Sequence, residues 1–349
     1  MGHSLIRSLV RSRCLPIRFL RTARFARALR CAHSLARGHN VFVRFVRCPE
    51  SLCALGMPIP NFLATENSRY EQLIANDLAD FKTRDDDVYI VAYAKSGHHW
   101  SYDFINMLLK GNFELDNRIK EAVFVEFLLP VTDGMEAFDR LPSPRTIYTH
   151  FHADALPREV FSKKRKIVRL IRNPKDVAVS AFYHRNSFTQ STNKLSQWDH
   201  YIEALMNMIE GKETHDEAFL VNKGDWFTYE LDSEEKLNHL DHSLVLYYED
   251  LKEDMIPQLK KLAKFLGKEY DDEFYVKVAA KTNLSYVKKN KDLGMHDAIV
   301  VGGSLYRKGV IGDWKNHFSS EQAKRFDEII ERRMKGCPFM ENIRYEPMD

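Results

Sequence analysis

The sequence lacks any run of 18 or more apolar residues in its 349 positions, so no segment is predicted to span a membrane. Cysteine is also scarce: the chain has five, and four of them fall within the first 53 residues. The rest of the chain therefore has neither a disulfide framework nor a zinc-ligand spacing, which is typical of a reducing compartment such as the cytoplasm. No group of carboxylates suggests a metal site either, and we predict a protein without a bound metal.

Acidic residues and lysine are absent from residues 1–47, which contain eleven arginines. The remaining chain has 41 basic residues against 49 acidic ones and so carries a net charge of −8, although the whole sequence is at +3. Because this main body is mildly acidic, nucleic acid is not an expected partner. A cationic binding site must then be a local cluster of side chains.

The first 57 residues are rich in Arg, Ser and Ala, which is the composition of an organelle transit peptide. Arginines recur at every third residue over positions 18–30, a spacing that spreads them around a helix instead of along one face. Two interpretations stay open, a dispensable extension of a cytoplasmic protein and a mitochondrial presequence. Pro58 and Pro60 mark a boundary, so we predict an extension at 1–57 and a single folded domain at 58–349.

Short runs of β-branched and aromatic residues alternate with segments of helical periodicity in the rest of the chain. Strands are predicted at residues 88–93, 145–150, 166–172 and 243–248. Helical patterns follow them, and two of these end at Gly111 and Gly267, which suit helix C-caps. Strands that alternate with helices build a mostly parallel sheet that is covered on both faces. The predicted fold class is therefore α/β, a single domain with a mostly parallel sheet flanked by helices.

The loop between the first strand and its helix contains Lys95, Ser96 and Gly97. A helix N-terminus offers unpaired backbone N–H groups and the positive end of the helix dipole, and both favour a phosphate. The Walker A pattern GxxxxGK[ST] is absent, so we interpret the segment as a P-loop-like phosphate-binding strand-loop-helix. A simple turn is one alternative. A P-loop kinase is another, and magnesium-dependent nucleotide binding would identify it.

Polar residues also follow the later predicted strands. His150 lies at the end of the second strand, where open α/β sheets place ligand-contacting residues. Arg172 precedes a helix start at Asn173-Pro174, and Ser180 lies about two turns further on, so both side chains can reach one anion. The alternatives are a surface histidine and an arginine paired with a carboxylate.

A second basic cluster lies near the C-terminus, where Arg307 and Lys308 precede Gly309 in a glycine-punctuated loop. An exposed basic loop of this kind suits a phosphate clamp, and a solvated surface loop is the alternative. The helix after it is predicted to begin with a capping box formed by Ser319 and Gln322.

Five segments, in order and spacing, resemble motifs of the cytosolic sulfotransferase family. YAKSGHHW resembles the family's YPKSGTTW loop, and RTIYTH resembles its strand ending in KTH. RNPKDVAVSAFYH and YEDLKED are close to the family's own segments, and RKGVIGDWKNHF matches its RKGxxGDWKNHF segment. The resemblance covers residues 60–345, and ordered long motifs are far more specific than Lys-Ser-Gly alone.

The resemblance implies that the chain binds 3′-phosphoadenosine 5′-phosphosulfate (PAPS) and transfers its sulfuryl group to a hydroxyl or amine, leaving 3′-phosphoadenosine 5′-phosphate (PAP). By resemblance His150 is the general base, Lys95 offsets charge on the leaving phosphate, and Tyr148 lies near the transferring group. The implied cofactor-binding residues are Lys95, Ser96, Gly97, His98, His99 and Trp100 at the 5′-phosphate and adenine, Arg172, Ser180, Arg307, Lys308 and Gly309 at the 3′-phosphate, and Tyr248 and Thr282 beside the adenine.

Three features differ from the family pattern. Tyr148 replaces the lysine two residues before the histidine, so it brings no charge to the transferring group. His98-His99 replace the paired threonines of the phosphate loop. Leu284 and Leu305 occupy positions where aromatic residues usually lie near the adenine. A catalytically impaired nucleotide-binding member of the same fold is therefore the alternative to an active enzyme.

The acceptor and the oligomeric state are less constrained by the sequence. We expect a small, apolar or aromatic acceptor, such as a phenol, a steroid, an alcohol or an aryl amine. The aromatic candidates for its pocket are Phe124, Phe127, Phe151, Tyr183 and Trp226, although core packing is the alternative for most of them. Of the family's dimer motif only Lys315 is retained, so both a monomer and a homodimer stay open.

Overall fold

A computed structural model of the chain describes residues 78–116, 125, 136–188, 197–212, 225–290 and 306–343. The predicted N-terminal extension, the domain boundary near Pro58, the pocket candidates Phe124 and Phe127, and Leu305 lie outside the described residues. Within the described ranges, no helix is long and apolar enough to cross a membrane.

The described part of the chain is built on a four-stranded sheet in the order β2-β1-β3-β4. All three strand pairs are parallel, and the pairing aligns Val91 with Thr149 and Ile171 with Tyr247. The mostly parallel sheet that the sequence predicts is therefore confirmed. The strands are β1 (Val88–Ala92), β2 (Thr146–Thr149), β3 (Lys166–Ile171) and β4 (Ser243–Tyr247).

Helices connect and cover the strands. The α-helices are α1 (His98–Lys110), α2 (Glu136–Asp139), α3 (Arg158–Ser162), α4 (Pro174–Phe188), α5 (Trp198–Ile209), α6 (Trp226–Leu237), α7 (Tyr248–Glu253), α8 (Met255–Leu266), α9 (Asp272–Thr282), α10 (Leu284–Asn290) and α11 (Ser320–Arg333). Short 3₁₀ helices lie at Ala153–Ala155, Asp313–Asn316 and Pro338–Asn342.

The central strand β1 divides two hydrophobic cores. All five of its residues are buried, as expected of a parallel strand covered on both faces. Tyr89 and Val91 pack into the core that contains side chains of α4, α5, α6 and α11, whereas Val88 and Ile90 pack into the core beneath α1, α8 and α9. Because side chains alternate along a strand, this run of apolar residues serves both cores.

Local signals place the helix ends. Gly111 and Gly267 adopt positive φ angles of 66° and 75°, and their N–H groups donate to carbonyls of α1 and α8, so both predicted caps are confirmed. The capping box of Ser319 and Gln322 is also present. Each predicted strand runs one residue beyond the observed carboxyl end. At the last of them, Tyr248 begins α7 and does not end β4. The ladder between β3 and β4 ends at Tyr247, opposite Ile171, and the chain turns there into the helix.

Candidate active site

Parallel strands bring their carboxyl ends to one edge of the sheet, and the predicted site residues follow those ends. The loop after β1 takes an unusual backbone path, with φ of 70° at Lys95 and 111° at Gly97. A Cβ atom at Gly97 would lie 3.1 Å from the ring of Tyr248, so both the backbone angle and the space require glycine. The loop thereby enters the N-terminus of α1, whose first N–H groups point away from the helix.

Lys95 is the centre of a cationic cluster in this loop. Burial, together with the positive charges of Arg172 and Arg307, lowers the pKa of Lys95 to about 7. The Nη1 atom of Arg172 donates to the Lys95 carbonyl oxygen at 2.9 Å, which fixes the guanidinium beside the loop. Two neighbouring cations that disfavour the charged form of this lysine create an arrangement that an anion would stabilise.

Two polar atoms in the same loop region lack a hydrogen-bond partner within the described residues. One is the Oγ of Ser96, whose side chain is fully buried, and the other is the Nε of Arg172. Buried polar atoms are nearly always paired in folded proteins, so each unpaired one needs an explanation. A ligand with several acceptor oxygens would provide the missing partners.

The second predicted basic cluster is held by a buried carboxylate. Asp313 forms an ion pair with Arg307 at 2.5 Å and accepts a hydrogen bond from Lys308 at 2.7 Å. Burial alone would raise the pKa of Asp313, but the hydrogen bonds from both cations hold it well below its usual range. The Arg307 guanidinium also lies 4.6 Å from the ring centroid of Tyr183, which keeps it over α4. Both cations are part-exposed, and the ion pairs with Asp313 organise them in advance of any ligand.

Asp176 connects this basic loop to the start of α4. Its carboxylate accepts from the N–H of Gly312 at 2.8 Å and from the N–H of Trp314 at 3.0 Å. Asp176 is 1% exposed, and both amides belong to the segment that carries Asp313. Asp176 lies in the first turn of α4, and sequence reasoning missed its long-range role. No spacing rule signals it, because the contact joins residues more than 130 positions apart.

His150 lies just beyond β2, as predicted, and its ring is oriented by the neighbouring strand. Its Nδ1 lies 3.0 Å from the carbonyl oxygen of Ala92, the last residue of β1. A carbonyl oxygen can only accept, so Nδ1 carries the proton and Nε2 of the neutral ring has the lone pair. Burial lowers the pKa of His150 to about 4, with a further contribution from the charge of Lys95. The imidazole is thus neutral near pH 7.

The histidines and the tyrosine that differ from the family pattern lie together beside His150. The buried ring of Tyr148 lies 5.7 Å from His98, 6.0 Å from His99 and 5.9 Å from Tyr102, measured between ring centroids. The His98 ring turns inward, and its Nε2 lies 3.1 Å from the Thr149 carbonyl oxygen. That nitrogen therefore contacts the backbone of β2, and the phosphate role of His98 stays a prediction.

Aromatic residues of the predicted adenine side also converge. The rings of Trp100 and Tyr248 meet edge to face at 5.5 Å. Tyr248 also lies 4.2 Å beneath the Arg172 guanidinium. Lys252, which the sequence analysis did not single out, lies 5.3 Å over the Trp100 ring. No pattern of residues in the sequence marked Lys252 for this position.

Three further predicted binding residues are Ser180, Thr282 and Gly309. Ser180 is half-buried on α4, and Thr282 is buried at the end of α9, where its hydroxyl donates to the Val278 carbonyl oxygen. Gly309 has a φ of 65°, and a Cβ there would lie 3.0 Å from Leu284, so the leucine packs closely against this glycine. The binding roles of Ser180, Thr282 and Gly309 stay predictions.

The aromatic candidates for an acceptor pocket separate into two groups. Phe151 and Trp226 are buried in the core, at 5% and 4% exposure, whereas Tyr183 is 38% exposed beneath Arg307. Core packing, the alternative named for them, accounts for the first two.

Both the sequence and the fold of this chain are similar to those of known proteins. The sulfotransferase domain model matches residues 85–338. The chain is 31% identical over 270 residues to sulfotransferase 6B1 of Danio rerio, covering 77% of this chain and 85% of that protein. It is likewise 31% identical over 271 residues to sulfotransferase 1B1 of Mus musculus, covering 74% and 86%.

Two solved structures extend the comparison. Mouse sulfotransferase SULT7A1 complexed with PAP is 29% identical and superposes with a TM-score of 0.59, covering 79% of this chain and 93% of that one. Retinol dehydratase in complex with androsterone and PAP superposes with a TM-score of 0.62 over 80% of this chain and 88% of that one, and at 20% identity it shows the shared fold alone.

The fold and site define an α/β protein with a P-loop-like strand-loop-helix and cationic side chains at the carboxyl edge of its sheet. With the domain match and the relatives above, the chain belongs to the sulfotransferase family. It is accordingly an enzyme of the transferase class.

Replacing Asp176 with alanine is expected to lower the free energy of unfolding by about 3 kcal/mol, because two backbone N–H groups lose their acceptor. Urea denaturation of both proteins measures the difference. Asp80→Ala is the matched control, since Asp80 forms only an exposed ion pair with Arg158, and its loss is expected to change stability by less than about 1 kcal/mol. Equal stability of the two variants would contradict the anchoring role of Asp176.

Proposed function

We propose that the protein transfers the sulfuryl group of PAPS to a hydroxyl or amine of a small, apolar or aromatic acceptor, with His150 as the general base. The observation that carries this proposal is the orientation of His150. A backbone carbonyl fixes the proton on Nδ1, and the lone pair of Nε2 belongs to a neutral ring next to a cationic loop. A base in this state accepts a proton at neutral pH.

The donor set supports a nucleotide with phosphates at two positions. The loop of Lys95 and Ser96 at the N-terminus of α1 would hold the 5′-phosphate, with the Ser96 hydroxyl gaining a partner. Arg172, Arg307 and Lys308 would hold the 3′-phosphate, because a planar guanidinium and an ammonium bind phosphate oxygens well. The PAP complex of the mouse relative is consistent with this assignment.

When bound, PAPS supplies a sulfur that accepts a nucleophile and a phosphate that leaves. The Nε2 of His150 takes the acceptor's proton as the new S–O or S–N bond forms. The ammonium of Lys95 offsets the negative charge that develops on the oxygen leaving sulfur. Tyr148 contributes no charge, so in our account Lys95 is the main cation at the transferring group.

Incubation of the full chain with PAPS labelled in its sulfuryl group, and with a phenol, a steroid alcohol and an aryl amine in parallel, tests this function. Label on any acceptor supports the proposal. Tight PAP binding without labelling of any acceptor favours the alternative of an impaired nucleotide-binding protein, which the replacement of the family's lysine by Tyr148 suggests.

The affinity for PAP is expected to fall as pH rises above 7. In the free protein the pKa of Lys95 is about 7, so the lysine is largely neutral at pH 9 and must gain a proton when the anion binds. Affinity should fall by up to about tenfold per pH unit between 7 and 9, which is the linkage slope for one proton. Calorimetry at several pH values measures it. Lys95→Met should remove this dependence, and an unchanged slope in the variant would assign the proton elsewhere.

A further inference from the structure

His98 begins α1, yet its side chain points into the protein and is 3% exposed. Its Nε2 lies 3.1 Å from the Thr149 carbonyl oxygen. Because a carbonyl oxygen only accepts, this nitrogen carries a proton and donates it. The side chain therefore joins the start of α1 to the carboxyl end of β2, one residue before His150.

The rings of His98 and His150 are in direct contact. Their centroids are 4.2 Å apart and their planes are nearly perpendicular, at 88°, which is the edge-to-face arrangement that aromatic rings prefer. On the β1 side, the Nδ1 of His150 donates to the Ala92 carbonyl oxygen. The imidazole of His150 is thus held by two different contacts, one from β1 and one from α1.

We propose that His98 is a positioning residue for His150, whose ring it holds in place and shields from water. The inference rests on the proposed function of His150 as the base. A base whose ring is already held in place can reach the acceptor's proton without first being oriented. Little free energy is then spent on ordering the base when the acceptor binds. A ring that covers one side of the imidazole also keeps that side in a medium of low polarity.

Within the described residues, groups from the loop after β1 and from α1 face His150. Lys95 in the loop after β1 is the charged one, and it disfavours an imidazolium. His98 faces it from α1, and the uncharged Tyr148 of β2 packs against His98. If a small side chain replaces His98, water gains access to the imidazole, and the pKa of His150 should rise from about 4 toward its ordinary value.

Histidine side-chain NMR titration of the full chain, without nucleotide or acceptor, tests the inference. The His150 signals are assigned by their loss in His150→Ala. In the unsubstituted protein, His150 should carry its proton on Nδ1 and titrate near pH 4. In His98→Asn, whose amide retains a donor for the Thr149 carbonyl but lacks the ring, the midpoint should rise by about one unit or more.

His98→Phe is the matched variant, because it keeps the ring and removes the donor. Its His150 midpoint should stay close to that of the unsubstituted protein. His98→Thr, the residue of the YPKSGTTW loop, should behave like His98→Asn and serves if that variant does not fold. An unchanged midpoint in both ring-deleting variants would overturn the inference, and an equal rise in His98→Phe would assign the effect to the fold instead of to the ring.

The result is separable from the proposed function, because the titration needs no turnover. If His150→Ala retained full transfer activity while the midpoint rose in His98→Asn, the base role would fail and the coupling of the two rings would stand. If both hold, the acid limb of the kcat profile should move to higher pH in His98→Asn by the same amount as the NMR midpoint, and not in His98→Phe.

Discussion

Replacing His150 with alanine is expected to lower the rate of sulfuryl transfer by about 10³-fold, since a positioned general base contributes between about 10² and 10⁴ to a rate. The affinity for PAP should stay within a few-fold. The ring of His150 contacts the Ala92 carbonyl and the ring of His98, and in our account it does not hold phosphate. A selective loss of rate is the signature of a group that acts in the transition state.

Single-turnover assays with labelled PAPS and a saturating acceptor measure this rate. His152→Ala is a close control, because His152 lies two residues further along and pairs with Asp232 at 3.1 Å. Its replacement should change the rate only a few-fold. The base assignment would be wrong if His150→Ala kept more than about a tenth of the rate, or if both variants lost the same activity.

Lys95→Met is expected to weaken PAP binding by about 100-fold and to reduce transfer further in the bound state. A hydrogen bond from a charged group contributes up to about 3 kcal/mol, which corresponds to that loss of affinity. The second effect arises because the ammonium also offsets charge that appears only in the transition state. Methionine approximates the volume of lysine and leaves Arg172 and Arg307 in place.

The free energy of unfolding of Lys95→Met shows whether a loss of PAP affinity comes from the binding site or from a less stable fold. In the free protein the Lys95 ammonium is buried beside two other cations, so its removal should leave the free energy of unfolding unchanged or higher. Lys163→Met, which removes an exposed lysine paired with Glu159, is the control for loss of one positive charge. A Lys95→Met protein that bound PAP with unchanged affinity would exclude the lysine from the anion site.

Much of the fold follows from local signals in the sequence. The buried run of β1, the glycine caps of α1 and α8 and the capping box of α11 each depend on a few neighbouring residues, and each is confirmed. The start of α7 was missed because Tyr248 suits a strand equally well, and only the end of the ladder with β3 decides the boundary.

The meeting of Lys95 with Arg172 was also predictable in outline, because parallel strands end at one edge of the sheet. The individual contacts at that edge could not be predicted from the sequence. The pairing of Asp313 with two cations and the attachment of Asp176 to Gly312 depend on how distant segments pack. The inward turn of the His98 ring, toward the Thr149 carbonyl oxygen, is likewise not encoded by a pattern of residue types.

Calorimetric titration of the full chain with PAP, beside adenosine 5′-phosphate, tests the central claim most directly, because the two ligands differ only in the 3′-phosphate and no acceptor is needed. The account predicts that PAP binds at least about 100-fold more tightly at pH 7, through charge-assisted hydrogen bonds from Arg172, Arg307 and Lys308. Equal affinity for the two nucleotides, or binding of neither, would contradict it.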